Sequence, residues 1–165
     1  MYNNLNEELF AFIKKSPTSF HAIAAMEEYM ENAGAEKLSE GSVWNLKEGG
    51  TYYVTRNKSA IIAFHVPCKE FTGFNIAASH SDSPSLKIKE DPEMNVENQY
   101  VKLNVEKYGG MLCGPWFDRP LSVAGRVIVQ DGNKLETKLV DVDRDILMLP
   151  SLAVHMNRDV NDGYK

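Results

Sequence analysis

His80-Ser81-Asp82 is the stretch best suited to chemistry. An imidazole can ligate a metal through one ring nitrogen, while a carboxylate two residues on accepts the other N–H and fixes the tautomer. On these residues alone a plain structural hydrogen bond is the favoured reading; the triplet's place at the end of an expected strand brings the ligand reading level with it. Ser79, Ser81 and Ser83 give the loop the polarity that a buried site tolerates. A hydrolytic dizinc site needs several carboxylate or histidine ligands, an open coordination position and a general base. No second cluster of that kind follows downstream.

Two further stretches stand out. Trp116-Phe117-Asp118-Arg119-Pro120, preceded by Tyr108-Gly109-Gly110, reads as a packed turn closed by an Asp118–Arg119 ion pair. His155, within Leu152-Ala153-Val154-His155-Met156, reads as a core or interface side chain, because a lone histidine among apolar residues is usually satisfied there. His21 and His65 fall inside helix and strand patterns and are assigned structural roles. The Gly49-Gly50 and Gly109-Gly110 pairs lack the context of a phosphate loop.

The elements that would position these residues follow from periodicity. Asn4 with Glu7 resembles a capping box, and Leu5, Leu9, Phe12 and Ile13 share one helical face, so a helix is expected over 5–15. After Ser16-Pro17, the repeat of Ile23, Met26, Met30 and Ala33 predicts a second helix capped by Gly34. Residues 51–56 and 59–66 are rich in β-branched and aromatic side chains around Asn57-Lys58, the pattern of an antiparallel hairpin. Phe74-Asn75-Ile76-Ala77-Ala78 reads as a buried central strand ending at His80. Strands are then expected over 86–89, 100–105, 121–129 and 138–142, with turns at Asp91-Pro92-Glu93 and Asp131-Gly132-Asn133 and a short helix opening at Pro150-Ser151. The fold class expected is α+β: two N-terminal helices with part of a mixed sheet, then a β-rich segment.

Composition bounds the classes. Hydrophobic residues at 43% and charged residues at 25% are ordinary for a folded globular chain of 165 residues. A net charge of -5 offers no basic stripe, so nucleic acid is not an expected partner. There is no uninterrupted apolar run of membrane-spanning length and no basic-then-apolar leader at the N-terminus, so the expectation is a cytoplasmic protein that does not engage a membrane. Cys68 and Cys113 lack metal or redox spacing and are expected as free thiols.

Five segments in order resemble the aspartyl aminopeptidase family of dizinc metallo-aminopeptidases. They are Ser16-Pro17-Thr18-Ser19-Phe20-His21-Ala22, Ala78-Ser79-His80-Ser81-Asp82-Ser83-Pro84, Tyr108-Gly109-Gly110, the run from Trp116-Phe117-Asp118-Arg119-Pro120 to Val127, and Leu152-Ala153-Val154-His155-Met156-Asn157-Arg158. The resemblance implies that His80 is a zinc ligand, that Asp82 supports it, and that His155 reaches a neighbouring subunit's active site to bind substrate. It implies residues 1–90 as the N-terminal part of the catalytic domain and 91–165 as an inserted β-rich assembly domain. Cys113-Gly114-Pro115 before the Trp-Phe-Asp-Arg run and Pro120 after it depart from the family pattern.

What the resemblance implies about function is a cytoplasmic peptidase that removes N-terminal Asp or Glu from peptides with two zinc ions, assembled as dimers into a dodecamer. The family's remaining ligands and its general-base glutamate follow the inserted domain, so a chain of this extent is expected to be inactive alone. The reading from another class is a stand-alone, non-catalytic assembly or binding module whose strand edges self-associate. An unrelated α+β domain with accidental motifs is the remaining alternative.

Overall fold

The computed structural model describes residues 2–163. Helix α1 spans Tyr2–Lys14 and α2 spans Ser19–Asn32. Among the described residues the strands are β1 Glu36–Lys37, β2 Thr51–Arg56, β3 Ala60–His65, β4 Ser85–Val96, β5 Tyr100–Tyr108, β6 Pro120–Leu121, β7 Ala124–Asp131, β8 Lys134–Asp141 and β9 Leu147–Met148. The class is α+β, as expected from the sequence. No described helix is long and apolar enough to cross a membrane. The chain divides into two compact units, Met1–Asp82 with Ala124–Asp141, and Ser83–Val123 with Val142–Lys165.

In the first unit α1 begins ahead of the expected boundary. Asn4 therefore lies inside the helix, and its amide donates to Glu8 Oε1 at 3.1 Å instead of forming a capping box with Glu7. Thr18 caps α2, its Oγ1 accepting the His21 N–H. At the other end Gly34 sits at φ +78, its N–H bonded to Glu31 O and the Ala35 N–H to Met30 O, both at 2.9 Å. That pair of bonds satisfies the last carbonyls and needs a residue free to adopt the left-handed region. The sequence reading of Gly34 as the cap is correct.

β1 runs parallel to β2 and β2 antiparallel to β3, making a small mixed sheet. The β2–β3 turn places Asn57 at φ 52 and Lys58 at φ 53, which matches the right-handed twist of the strands it joins. The buried apolar residues are Ala22, Ile23 and Ala25 of α2 and Tyr52, Tyr53 and Val54 of β2. Three consecutive strand residues are buried, so both faces of β2 are covered. Tyr53 has no exposed surface, and its hydroxyl donates to Glu31 Oε1 at 2.8 Å. β7 and β8 form a hairpin of eight paired positions, turning at Gly132, φ +57. Arg126 of β7 lies with its guanidinium carbon 4.1 Å from the centre of the Phe20 ring and donates to Asn57 O and Oδ1 at 3.0 and 3.1 Å. One planar side chain thus ties this hairpin to α2 and to the β2–β3 turn.

Residues 74–78 do not form the buried strand expected of them. They run as irregular chain with Phe74 79% and Ile76 85% exposed. A continuous apolar run makes a central strand only when neighbours pair both edges and layers cover both faces, and the described residues supply neither.

In the second unit β4 and β5 pair antiparallel, with a register shift between Ile88 and Glu93. Asp91-Pro92-Glu93 is part of that irregularity, not a turn: Pro92 has no N–H to give the ladder and is accommodated where pairing is interrupted. The actual turn is at Glu97 and Asn98, φ 52 and 54, where Asn95 Oδ1 accepts the Asn98 N–H at 3.0 Å. The single strand expected over 121–129 is broken. β6 pairs with β9, while Val123 O and Ser122 Oγ take the N–H groups of Val142 and Arg144, so the ladder with β8 starts only at Ala124.

Burial, the hydrogen bond to Glu31 and the charges of Glu31 and Glu27 push the Tyr53 hydroxyl from 10.0 up to about 12. A raised folded-state value means the contribution is complete below pH about 10 and is lost as pH rises towards about 12. Urea denaturation across that window is expected to show stability falling, with a shallower fall in Tyr53→Phe; equal slopes would show that the hydroxyl is not held this way. Ile23→Ala is expected to cost about 2–5 kcal/mol in the same assay.

Candidate functional site

His80 and Asp82 close the first unit. His80 Nδ1 lies 2.7 Å from Asp82 O and 3.1 Å from Asp82 Oδ1. Both oxygens of the ionised residue are acceptors, so Nδ1 carries the proton of a neutral ring and the lone pair is on Nε2. The imidazole is 79% exposed. Ser81 Oγ donates to Ser59 O at 3.3 Å and anchors the triplet against the end of the β2–β3 hairpin. The geometry is that of an oriented ligand: one nitrogen spent on an acceptor, the other available.

Zinc needs about three or four protein ligands. Among the described residues no group of three or more His, Cys, Asp or Glu side chains converges. The donor set present fits one ligand and its orienting carboxylate, not a whole centre, and no catalytic step is derived through a metal from these residues.

His155 belongs to the second unit and is exposed. The helix expected after Pro150-Ser151 is a turn, in which Ala153 O accepts the N–H groups of Met156 and Asn157 at 2.8 and 3.2 Å. The core reading of His155 from composition alone is therefore overturned: the ring is at the surface, because no described element covers the turn. His21 and His65 are bonded to Thr18 and Thr51, at 2.8 and 3.0 Å, in agreement with structural roles. Cys68 and Cys113 are free thiols.

The Trp116–Pro120 stretch departs from its expected ion pair. Arg119 turns to Pro115 O, and the Asp118 carboxylate takes Ser151 instead, its Oδ1 accepting the Ser151 N–H at 2.9 Å and its Oδ2 the Ser151 hydroxyl at 2.5 Å. These two bonds hold the Asp118 carboxyl below its usual range. The sequence signal for this contact was faint: Asp is one of the few L-residues that tolerate a left-handed backbone, and Asp118 has φ 55.

Comparison with known proteins gives the family. The model of the aminopeptidase I zinc metalloprotease family, M18, matches residues 12–165. The chain belongs to the M18 family. It is 48% identical to a probable M18 family aminopeptidase 2 of Clostridium novyi over 160 residues, covering 94% of this chain and 37% of that protein. The structure of Chaetomium thermophilum mApe1 is matched with a TM-score of 0.84 at 36% identity, over 93% of this chain and 36% of that one. The S. cerevisiae mApe1 dodecamer is matched at 0.77 and 29% identity, over 93% and 37%. The chain thus spans little more than a third of the length of these relatives, and the accidental-motif alternative is excluded by the extent of the match.

The His80 ring is expected to be the Nδ1–H tautomer when neutral, which nitrogen-15 NMR of the ring reads directly. A proton on Nε2 would mean that Asp82 does not orient the ring and that its lone pair points the wrong way for a ligand.

Proposed function

We propose that the complete gene product containing this chain is a cytoplasmic zinc aminopeptidase that removes N-terminal Asp or Glu from peptides. In this reading His80 Nε2 ligates one of two zinc ions, Asp82 accepts the Nδ1–H and so fixes the tautomer and orientation of the ring, and His155 contacts the substrate. Residues 1–90 belong to the catalytic domain and 91–165 to an inserted assembly domain. The single observation that carries the reading is the His80–Asp82 pair in a chain of the M18 family, with Nδ1 bonded and the other nitrogen open. When bound, zinc supplies Lewis acidity and an activated water; the part of this chain is to present and orient one ligand. The reading that this chain does not hydrolyse peptides by itself is supported by the absence, among the described residues, of a group of three or more candidate ligands.

The test is zinc content and cleavage of Asp-, Glu- and Leu-anilides by the complete gene product. Zinc bound tightly with preference for the acidic anilides is expected. His80→Ala is expected to lose metal and activity together, and Asp82→Ala to lose about 10–100-fold in metal affinity or activity. A zinc-free or Leu-preferring product would overturn the reading.

Assembly as a homo-oligomer has its own support. Every residue of β8 is exposed, and on the β7–β8 ribbon Ile128 is 65% and Leu135 75% exposed. Two-stranded ribbons with free edges and apolar side chains tend to pair with further chains. The isolated 165-residue chain is expected to sediment above the mass of one copy, and Ile128→Lys to shift it towards monomer. A strictly monomeric chain at high concentration would argue against an assembly role, including that of a stand-alone module.

A further inference from the structure

We propose that Asp118 is a positioning residue for His155; this rests on the reading of His155 as a substrate contact. Asp118 sits at φ 55, a backbone conformation that L-residues rarely adopt, and is held there by bonds from both its main chain and its side chain. Its N–H donates to Leu149 O at 3.0 Å, and its carboxylate accepts the N–H and the hydroxyl of Ser151. One residue thus grips the chain on both sides of Pro150, which has no N–H of its own to offer. Phe117 next to it forms an isolated parallel bridge with Leu149, beside the antiparallel β6–β9 pair.

The grip is the last fixed point before His155. Beyond Ser151, the backbone hydrogen bonds among the described residues are internal to the segment: Met156 and Asn157 to Ala153, Val160 to Asn157, and Asp162 to Asp159. An exposed turn fastened at its base swings about that base, and His155 is four residues from it. A side chain that must meet a substrate needs its support fixed to a fraction of an ångström, and such support comes from neighbouring hydrogen bonds. The Asp118–Ser151 contact is that support. The carboxylate touches neither substrate nor metal in this assignment; it acts through the turn.

The experiment is a double-mutant cycle on KM for an Asp-anilide, in the complete gene product. Asp118→Gly keeps the left-handed backbone without strain and deletes both carboxylate bonds, so its effect is that of the side chain. Asp118→Asn keeps an acceptor for the Ser151 N–H and an amide for its hydroxyl, and tolerates the same φ. Expected are a rise in KM of about tenfold for both His155→Phe and Asp118→Gly with kcat little changed, and near-complete rescue in Asp118→Asn. The double variant Asp118→Gly with His155→Phe is expected to be no worse than His155→Phe alone. Additive effects, or an unimpaired Asp118→Gly beside an impaired His155→Phe, would overturn the positioning role and leave the substrate contact standing. A normal KM in His155→Phe would overturn both. Circular dichroism and zinc content of Asp118→Gly matching the parent confirm that the KM change is not loss of fold; if they do not match while Asp118→Asn behaves as the parent, the role is structural and the inference fails.

Discussion

A chain with few fully buried side chains depends heavily on each of them, and here the dependence falls on Tyr53. It lies in β2 with no exposed surface, in a strand whose next neighbours are also buried. A tyrosine in that place buries a large apolar area but carries a hydroxyl that would be destabilising if left without a partner. Glu31, in the last turn of α2, accepts the hydrogen bond that hydroxyl donates. The bond therefore fixes helix against sheet, and the register of the sheet fixes the β2–β3 turn to which Ser81 and Arg126 are fastened. The orientation of the His80 loop is downstream of that packing.

The second unit is organised differently. Its strands are paired but mostly exposed, and the order within it comes from main-chain bonding, from side-chain caps such as Asn95, and from the Asp118 grip on the chain around Pro150. Where apolar burial is thin, a charged hydrogen bond to a serine does the work of a core contact, because the ionised acceptor makes a stronger bond than a neutral one. Polar clamps of this sort hold local geometry well and leave the surrounding surface open.

Much of the first unit was legible in the sequence because its signals are local. Gly34 and Asn57-Lys58 act through backbone conformations and bonds only a few residues long, and each was found where its residue type implied. Errors came where a local pattern had two solutions. Asp91-Pro92-Glu93 has the composition of a turn, yet a proline is also tolerated in an interrupted ladder. Residues 74–78 have the composition of a central strand, yet strand formation is decided by partners distant in sequence. For the site, the His80–Asp82 spacing by itself brought the ring and the carboxylate within reach, so that pair could be named in advance.

The sequence by itself determined the two helices and the Gly34 end of the second, the β2–β3 hairpin, the His80–Asp82 pair and the family resemblance, since all of these rest on residue identity at short or fixed spacing. Only the tertiary structure decided that Glu31 completes Tyr53, that Arg126 spans Phe20 and Asn57, and that Asp118 turns away from its neighbour Arg119 to hold Ser151. The last is the clearest case. An Asp-Arg neighbour pair suggests an ion pair, but at the surface such a pair gains little over hydration, whereas two aligned donors from one serine offer a carboxylate both its bonds at once, and no sequence spacing of 33 residues announces that the strands will bring them together.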